Sequence, residues 1–351
     1  MSLSYNIPFL SIMLTLVSGI LVPLIRREGG ALRLIRGVQL GVAGLSALLL
    51  VRLSGAGASF SYPMGYIPAP WGNELRAGPL EALLALTFSV VMLLSLSGGA
   101  EDLRRDVRPD RQGWYCLLMQ LLFGALLAMV YTDDLFTGYV FVEIAAVTAC
   151  IAVAAKESGR SVVAAIRYLI FSCLGSGLVL LGIAMLYCIT GQLLFSGLEE
   201  AVARLVQSGE YSLPLVVSAL LMTLGLSIKS AQFPFHAWLP DAHASATTAS
   251  SAILSGLVLK GYLVLLLKLI LRVFGPALIV STYIDDLLFL LGLTGMLFAS
   301  VAALRQEEVK RMIAYSSSAQ ISYIFLALGL GSGHRAIAAH IPVPLCFRYG
   351  P

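Results

Sequence analysis

The chain has 351 residues, of which 58% are hydrophobic and only 12% charged, with a net charge of +4. That balance excludes an ordinary soluble domain. The modest positive charge is not gathered into a basic patch of the kind that binds nucleic acid. A polytopic all-α membrane protein is expected, because lipid forces each backbone to satisfy itself and no alternating barrel pattern is visible.

Ten apolar runs, each about 17–27 residues, are long enough to span a bilayer. They fall near 6–25, 37–53, 79–98, 114–131, 135–155, 162–189, 213–238, 249–271, 287–304 and 312–330. The first run lacks a preceding basic region and reads as a retained span, not a cleaved signal. Connections 1–2, 3–4, 5–6 and 9–10 carry Arg26, Arg27, Arg33, Arg36, Arg104, Arg105, Arg108, Arg111, Lys156, Arg160, Arg305, Lys310 and Arg311. The opposite connections carry Arg52, Arg76, Arg204, Lys268 and Arg272. This asymmetry places the first set in the cytoplasm and the N-terminus outside, with an extracytoplasmic loop near 54–78.

Segment five, LFTGYVFVEIAAVTACIAVAA, holds Glu143 at about mid-span. A charge there costs at least ~2.5–3.5 kcal/mol on insertion scales, so it must be protonated, paired or hydrated. It serves either as a structural ion pair between helices or as a proton acceptor that responds to a moving partner. Asp133 and Asp134 read as solvated acids at the membrane edge. In segment six, Ser172, Gly175, Ser176 and Gly177 allow close helix packing.

Segment seven reads LMTLGLSIKSAQFPFHAWLPDAHASATT, with Lys229 followed by Pro234. The proline removes a backbone donor, which predicts a break or bend between about Gln232 and Leu239. Residues Pro240–Thr248 are then expected to form the cytoplasmic connection to segment eight. Broken helices at membrane depth face a cavity or protein interior and often mark transport sites. Burial disfavours a lysine's charged form and a nearby carboxylate favours it, so Lys229 beside Glu143 would release its proton when the partner moves. The two are expected to point into one interior region. His236 and His243 read either as relay groups or as hydrogen-bonded structural histidines.

Segment eight, SSAILSGLVLKGYLVLLLKL, buries Lys260 about a dozen residues into the span, while Lys268 near its end can snorkel. Ser251 and Ser255 share one face of that helix. Segment ten opens KRMIAYSSSAQISY, so Ser316, Ser317, Ser318, Gln320 and Ser322 are expected to face the interior, as a wetted lining or as interhelical hydrogen bonds. The five cysteines form no CxxC pair, and four of them lie inside apolar spans as packing residues. The four histidines form no haem pair, no glycine-rich nucleotide loop precedes a helix, and no metal cluster is spaced for ligation. The sequence therefore calls for no cofactor, metal or redox site in this chain.

Three strings carry a specific resemblance: GALLAMVYTDDLFTGYVFVEIAAV, IKSAQFPFHAWLPDAHASATTASSAILSGLVLKGYLVLLL and EEVKRMIAYSSSAQISY. They are similar to the antiporter-like membrane subunits of respiratory complex I, Mrp-type sodium/proton antiporters and membrane-bound hydrogenases. The loop stretch MGYIPAPWGNELRAGPLEALL resembles the Mrp and hydrogenase branches more closely. The resemblance covers most of residues 60–330. It implies that Glu143, Lys229 and Lys260 correspond to the glutamate of segment five and the lysines of segments seven and eight on the proton path. It also implies a fold of about fourteen helices with two inverted five-helix repeats.

On that reading, residues 1–112 hold the first three helices and 113–273 form one complete repeat, segments four to eight. Residues 274–330 begin a second, incomplete repeat, and 331–351 form an atypical non-spanning tail. The tail, GSGHRAIAAHIPVPLCFRYGP, departs from the family pattern, which would continue with about four more helices, and reads as a truncation, a frameshift or a fragment boundary. The expected function is proton or sodium/proton translocation as a subunit of a larger assembly in a prokaryotic inner membrane. Quinone or NADH chemistry would belong to partner subunits. The alternative is a structural or inactive truncated subunit whose buried charges only fix helix packing.

Overall fold

The computed structural model describes residues 3–25, 29–56, 59–64 and 72–333. Arg26, Arg27, residues 65–71 of the loop string, and the tail from His334, with His340 and Cys346, lie outside the described residues. All ten apolar runs become helices long and apolar enough to cross a membrane. The chain is an integral membrane protein. In order, the helices are α1 (Leu3–Leu21), α2 (Gly30–Ala56), α3 (Pro79–Gly98), α4 (Ala100–Asp106), α5 (Pro109–Tyr131), α6 (Leu135–Ala154) and α7 (Gly159–Thr190). There follow α8 (Phe195–Ser208), α9 (Ser212–Lys229), α10 (Trp238–Ser245), α11 (Thr248–Ile253), α12 (Leu259–Lys268), α13 (Gly275–Ser281), α14 (Ile284–Leu304) and α15 (Val309–Gly333). A π-helical stretch, Leu254–Val258, joins α11 to α12, and a second one, Leu269–Phe274, joins α12 to α13.

Helix ends follow local chemistry. Pro79 and Pro109 stand at the starts of α3 and α5, where the missing N–H costs nothing. The Glu81 carboxylate accepts the Gly78 N–H at 2.9 Å. The Thr247 hydroxyl accepts the Ser250 N–H at 3.1 Å and starts α11.

The chain divides into two compact units. The first comprises Met1–Asp133, Val140–Leu169 and Ser245–Gly261. Within it, buried amides join three helices: Gln39 donates to Gln120 at 3.3 Å, and Gln120 donates to the Ser18 hydroxyl at 2.7 Å. Tyr115 lies 2.8 Å from the Ser250 hydroxyl, which donates to the Ala152 carbonyl at 3.1 Å, tying α11 to α5 and α6. In the 54–78 loop, strands β1 (Phe60–Pro63) and β2 (Glu74–Ala77) pair antiparallel, Phe60 opposite Ala77. Tyr5 stacks on Phe60, with ring centres 5.2 Å apart, and Asp133 N–H donates to the Glu74 carbonyl at 2.9 Å. Asp133 is 2% exposed, which corrects its reading as a solvated acid: pairing with the hairpin buries it. Asp134 instead accepts the Thr137 N–H at 2.6 Å.

The second unit comprises Asp134–Tyr139, Ile170–Ala244 and Tyr262–Pro351. Here α7 and α9 touch through glycines: a Cβ on Gly182 would sit 2.6 Å from Met222 Cγ, and the Ser218 hydroxyl donates to the Gly182 carbonyl at 2.8 Å. Gly292 and Gly329 let α14 and α15 meet backbone to backbone, against Leu326 and Phe289. Helix α8 has no counterpart among the ten apolar runs. It is amphipathic, burying Phe195, Leu198, Ala201 and Val202 while Glu199, Glu200 and Arg204 are exposed.

Candidate functional site

Segment seven is interrupted as its proline predicts, but earlier. Helix α9 stops at Lys229, and a short 3₁₀ turn over Phe235–Ala237 leads into α10. Ala231 adopts φ 55°, a left-handed conformation that stops the α-helix three residues before Pro234. Pro240–Ser245 correct the expectation of a connecting loop, because they are helical and only Ala246 and Thr247 separate α10 from α11. Pro240 is the third residue of α10, inside the first turn, where no intrahelical acceptor awaits its N–H. The Trp238 indole N–H donates to the Ile228 carbonyl at 3.4 Å, holding α10 against the end of α9.

The non-helical residues are bolted to segments nine and ten. The Ser318 hydroxyl donates to the Ala231 carbonyl at 3.0 Å, and Gln232 Nε2 donates to the Leu291 carbonyl at 2.6 Å. The Ser322 hydroxyl donates to Gln232 Oε1 at 3.0 Å. Gly295 has room for no side chain, since a Cβ there would lie 2.7 Å from Gln232 Nε2 and 3.0 Å from Phe233 Cβ. Phe233 stacks on Phe298 at 5.0 Å and on His236 at 5.4 Å, and His236 meets Tyr315 edge-on at 5.8 Å. Ser318 and Ser322 thus make interhelical hydrogen bonds, and Ser317 is buried. Ser316 and Gln320 are exposed on α15, which corrects their expected inward orientation: they lie off the stripe that Ser318 and Ser322 occupy.

Lys229, the last residue of α9, is only 1% exposed. Its ammonium donates to the Ser172 hydroxyl at 3.0 Å and lies over the Tyr262 ring, 5.7 Å from the centroid. Gly175 makes room for it, because a Cβ there would sit 3.1 Å from Lys229 Cγ and 2.8 Å from the Gly225 carbonyl oxygen. The small residues of segment six therefore pack closely at Gly175, whereas Gly177 faces open space.

Lys260 lies two residues past the first π-helix, half-buried, and its ammonium donates to the Ser255 carbonyl at 2.7 Å. That carbonyl is five residues back, within reach because the π turn is wider than an α turn. Glu143 is half-buried on α6. It belongs with Lys260 to the first unit, while Lys229, His236 and His243 belong to the second. His243 is fully buried and His236 half-buried. Lys268 is 2% exposed, which corrects the expectation that it snorkels.

Sequence reasoning missed Tyr262 and the π-helix and read Ser172 only as a packing residue. Hydroxyl and ring have no signature until the folded chain brings them to Lys229. Chemically, the second unit holds an ammonium inside protein against a neutral hydroxyl and an aromatic face, next to an interrupted helix.

Residues 132–346 match the family described as NADH:quinone oxidoreductase/Mrp antiporter, TM. The chain is similar to NADH-quinone oxidoreductase subunit N of Desulforudis audaxviator, 35% identical over 298 residues, 82% of this chain and 58% of that protein. It is also similar to a putative antiporter subunit of Staphylococcus haemolyticus, 30% identical over 340 residues, 96% of this chain and 40% of that one. Among solved structures, it resembles a chain of the membrane-bound sulfane sulfur reductase, an archaeal respiratory membrane complex, with a TM-score of 0.81 and 28% identity. That match covers 92% of this chain and 65% of the other. The chain thus spans less than two thirds of the length of each of these relatives.

Proposed function

Because the chain belongs to the NADH:quinone oxidoreductase/Mrp antiporter transmembrane family, we propose that it is an ion-translocating subunit of a multisubunit membrane complex. The ion is a proton, or sodium exchanged for a proton, and the path runs through Glu143, Lys229 and Lys260, with His236 and His243 as relay groups. Relatives named as subunits of respiratory and antiporter complexes support the assembly. Quinone or NADH chemistry then belongs to partner chains.

One observation carries the reading: a lysine that is 1% exposed stands where segment seven loses its helix. A buried charge without compensation is expensive, and irregular backbone at membrane depth is tolerated only inside protein or along a cavity. The two features together fit a transport site better than a packing contact. In this scheme Glu143 pairs with Lys229 directly or through water. Loss of the carboxylate's proximity favours the neutral lysine, so movement of the pair passes a proton on towards Lys260. Residues 113–273 act as the translocating five-helix repeat, and residues 274–330 as the start of a second. The distribution of basic residues supports an extracytoplasmic N-terminus in a prokaryotic cell membrane.

Replacing Lys229 in the assembled complex tests the proposal. Lys229→Ala is expected to abolish or strongly reduce ion transport into membrane vesicles while assembly is retained. Lys229→Arg is expected to impair transport too, because arginine keeps its proton at any accessible pH. Parental transport rates in both variants would make Lys229 a packing residue.

A further inference from the structure

We infer that Ser172 and Tyr262 are positioning residues that help to cradle the Lys229 ammonium, an inference resting on the proposed role of that lysine. The Ser172 hydroxyl, on a residue 4% exposed, accepts from the ammonium at 3.0 Å. Tyr262 is fully buried, and its ring face looks onto the same nitrogen from 5.7 Å. Neither group carries a charge, yet each favours the cation: the hydroxyl oxygen by a charge-assisted hydrogen bond, the ring by its negative face.

The surrounding residues suit this task. Ser176 donates its own hydroxyl to the Ser172 carbonyl at 2.9 Å, so it consolidates the turn of α7 that presents Ser172. Gly175 lies between them in sequence and leaves space for the lysine stem, whose Cγ would be 3.1 Å from any Cβ there. The stem therefore runs along the Ser172–Ser176 turn of α7 before the ammonium reaches oxygen and ring.

Hydroxyl and ring face fix where the ammonium sits and stabilise its charged form inside protein, so a change at either is felt by a lysine that gives up and regains its proton.

The test keeps the size of the side chain nearly constant and changes only the electrons of the ring. Phenylalanine and its mono-, di- and trifluoro derivatives are placed at position 262 in the assembled complex, and ion transport is measured in membrane vesicles beside a Lys229→Ala control. Tyr262→Phe keeps the face and is the reference of the series, and the logarithm of the rate is expected to fall with each fluorine to about a tenfold loss below that reference. Ser172→Ala is expected to lower transport by about tenfold and Ser172→Thr, which restores the hydroxyl, to recover it. A flat fluorine series, or a Ser172→Ala variant that transports like the parent, overturns the cradle if Lys229→Ala is inactive. Should Lys229→Ala itself transport normally, the proposed function fails and the cradle fails with it.

Discussion

The Ser322 hydroxyl of α15 donates to Gln232 Oε1 at 3.0 Å, and together with the Ser318 bond to the Ala231 carbonyl it fastens the broken part of segment seven to segment ten. The other end of the same amide donates to the Leu291 carbonyl on α14 at 2.6 Å, so a fully buried glutamine is held from both sides. Such a bolt is needed because residues that leave the helix leave their backbone groups without intrahelical partners.

Gln232→Leu should therefore destabilise the protein by about 1–3 kcal/mol, because it removes two buried hydrogen bonds, one to the Leu291 carbonyl and one from the Ser322 hydroxyl. Ser322→Ala should cost less than Gln232→Leu, within that same range of about 1–3 kcal/mol, since it strands only Gln232 Oε1 while the Leu291 contact survives. Thermal unfolding of the purified protein in detergent checks both. Equal midpoints for parent and Gln232→Leu would show that the amide does not hold the break.

At Lys260, in α12, the side chain closes on the backbone of the preceding π-helix, through the Ser255 carbonyl at 2.7 Å. Lys260→Met should lower stability by about 1.5–3 kcal/mol, the usual worth of a hydrogen bond to a charged group, and should also stop transport. Lys260→Arg keeps donor and charge but not an exchangeable proton, so stability should be largely retained and transport still impaired. Full transport by the arginine variant would mean that charge alone is what this position contributes.

The proposed pairing of Glu143 with Lys229 has its own signature. If the two neutralise each other, Glu143→Gln should lower stability by about 3–5 kcal/mol because it strands the buried Lys229 ammonium, and Lys229→Gln should cost less because Glu143 is half-buried. The double variant should regain most of that loss. Independent residues would instead show additive losses within about 0.5 kcal/mol, and a double-variant cycle on thermal unfolding separates the two outcomes.

The amino-acid sequence alone determined the membrane character, the ten spans, the three intramembrane charges and the break near Pro234. All of these depend on composition, run length or a residue whose chemistry is local: an apolar stretch must be helical in lipid, and proline must lose a hydrogen bond. Tertiary structure decided the rest. Helix α8 buries only one face, so its alternating character hid it from a search for continuous apolar runs. The break begins at Ser230, where Ala231 turns left-handed and its carbonyl accepts from the Ser318 hydroxyl of α15 at 3.0 Å, a contact between residues far apart in the chain. Asp133 is buried where its N–H pairs with the Glu74 carbonyl, a residue distant in sequence. Ser172 and Tyr262 stand 90 positions apart in the chain and converge on Lys229 only once α7, α9 and α12 pack together. Position along a helix is readable from period and composition, but which side chain meets which across helices is set by packing, and packing has no local code.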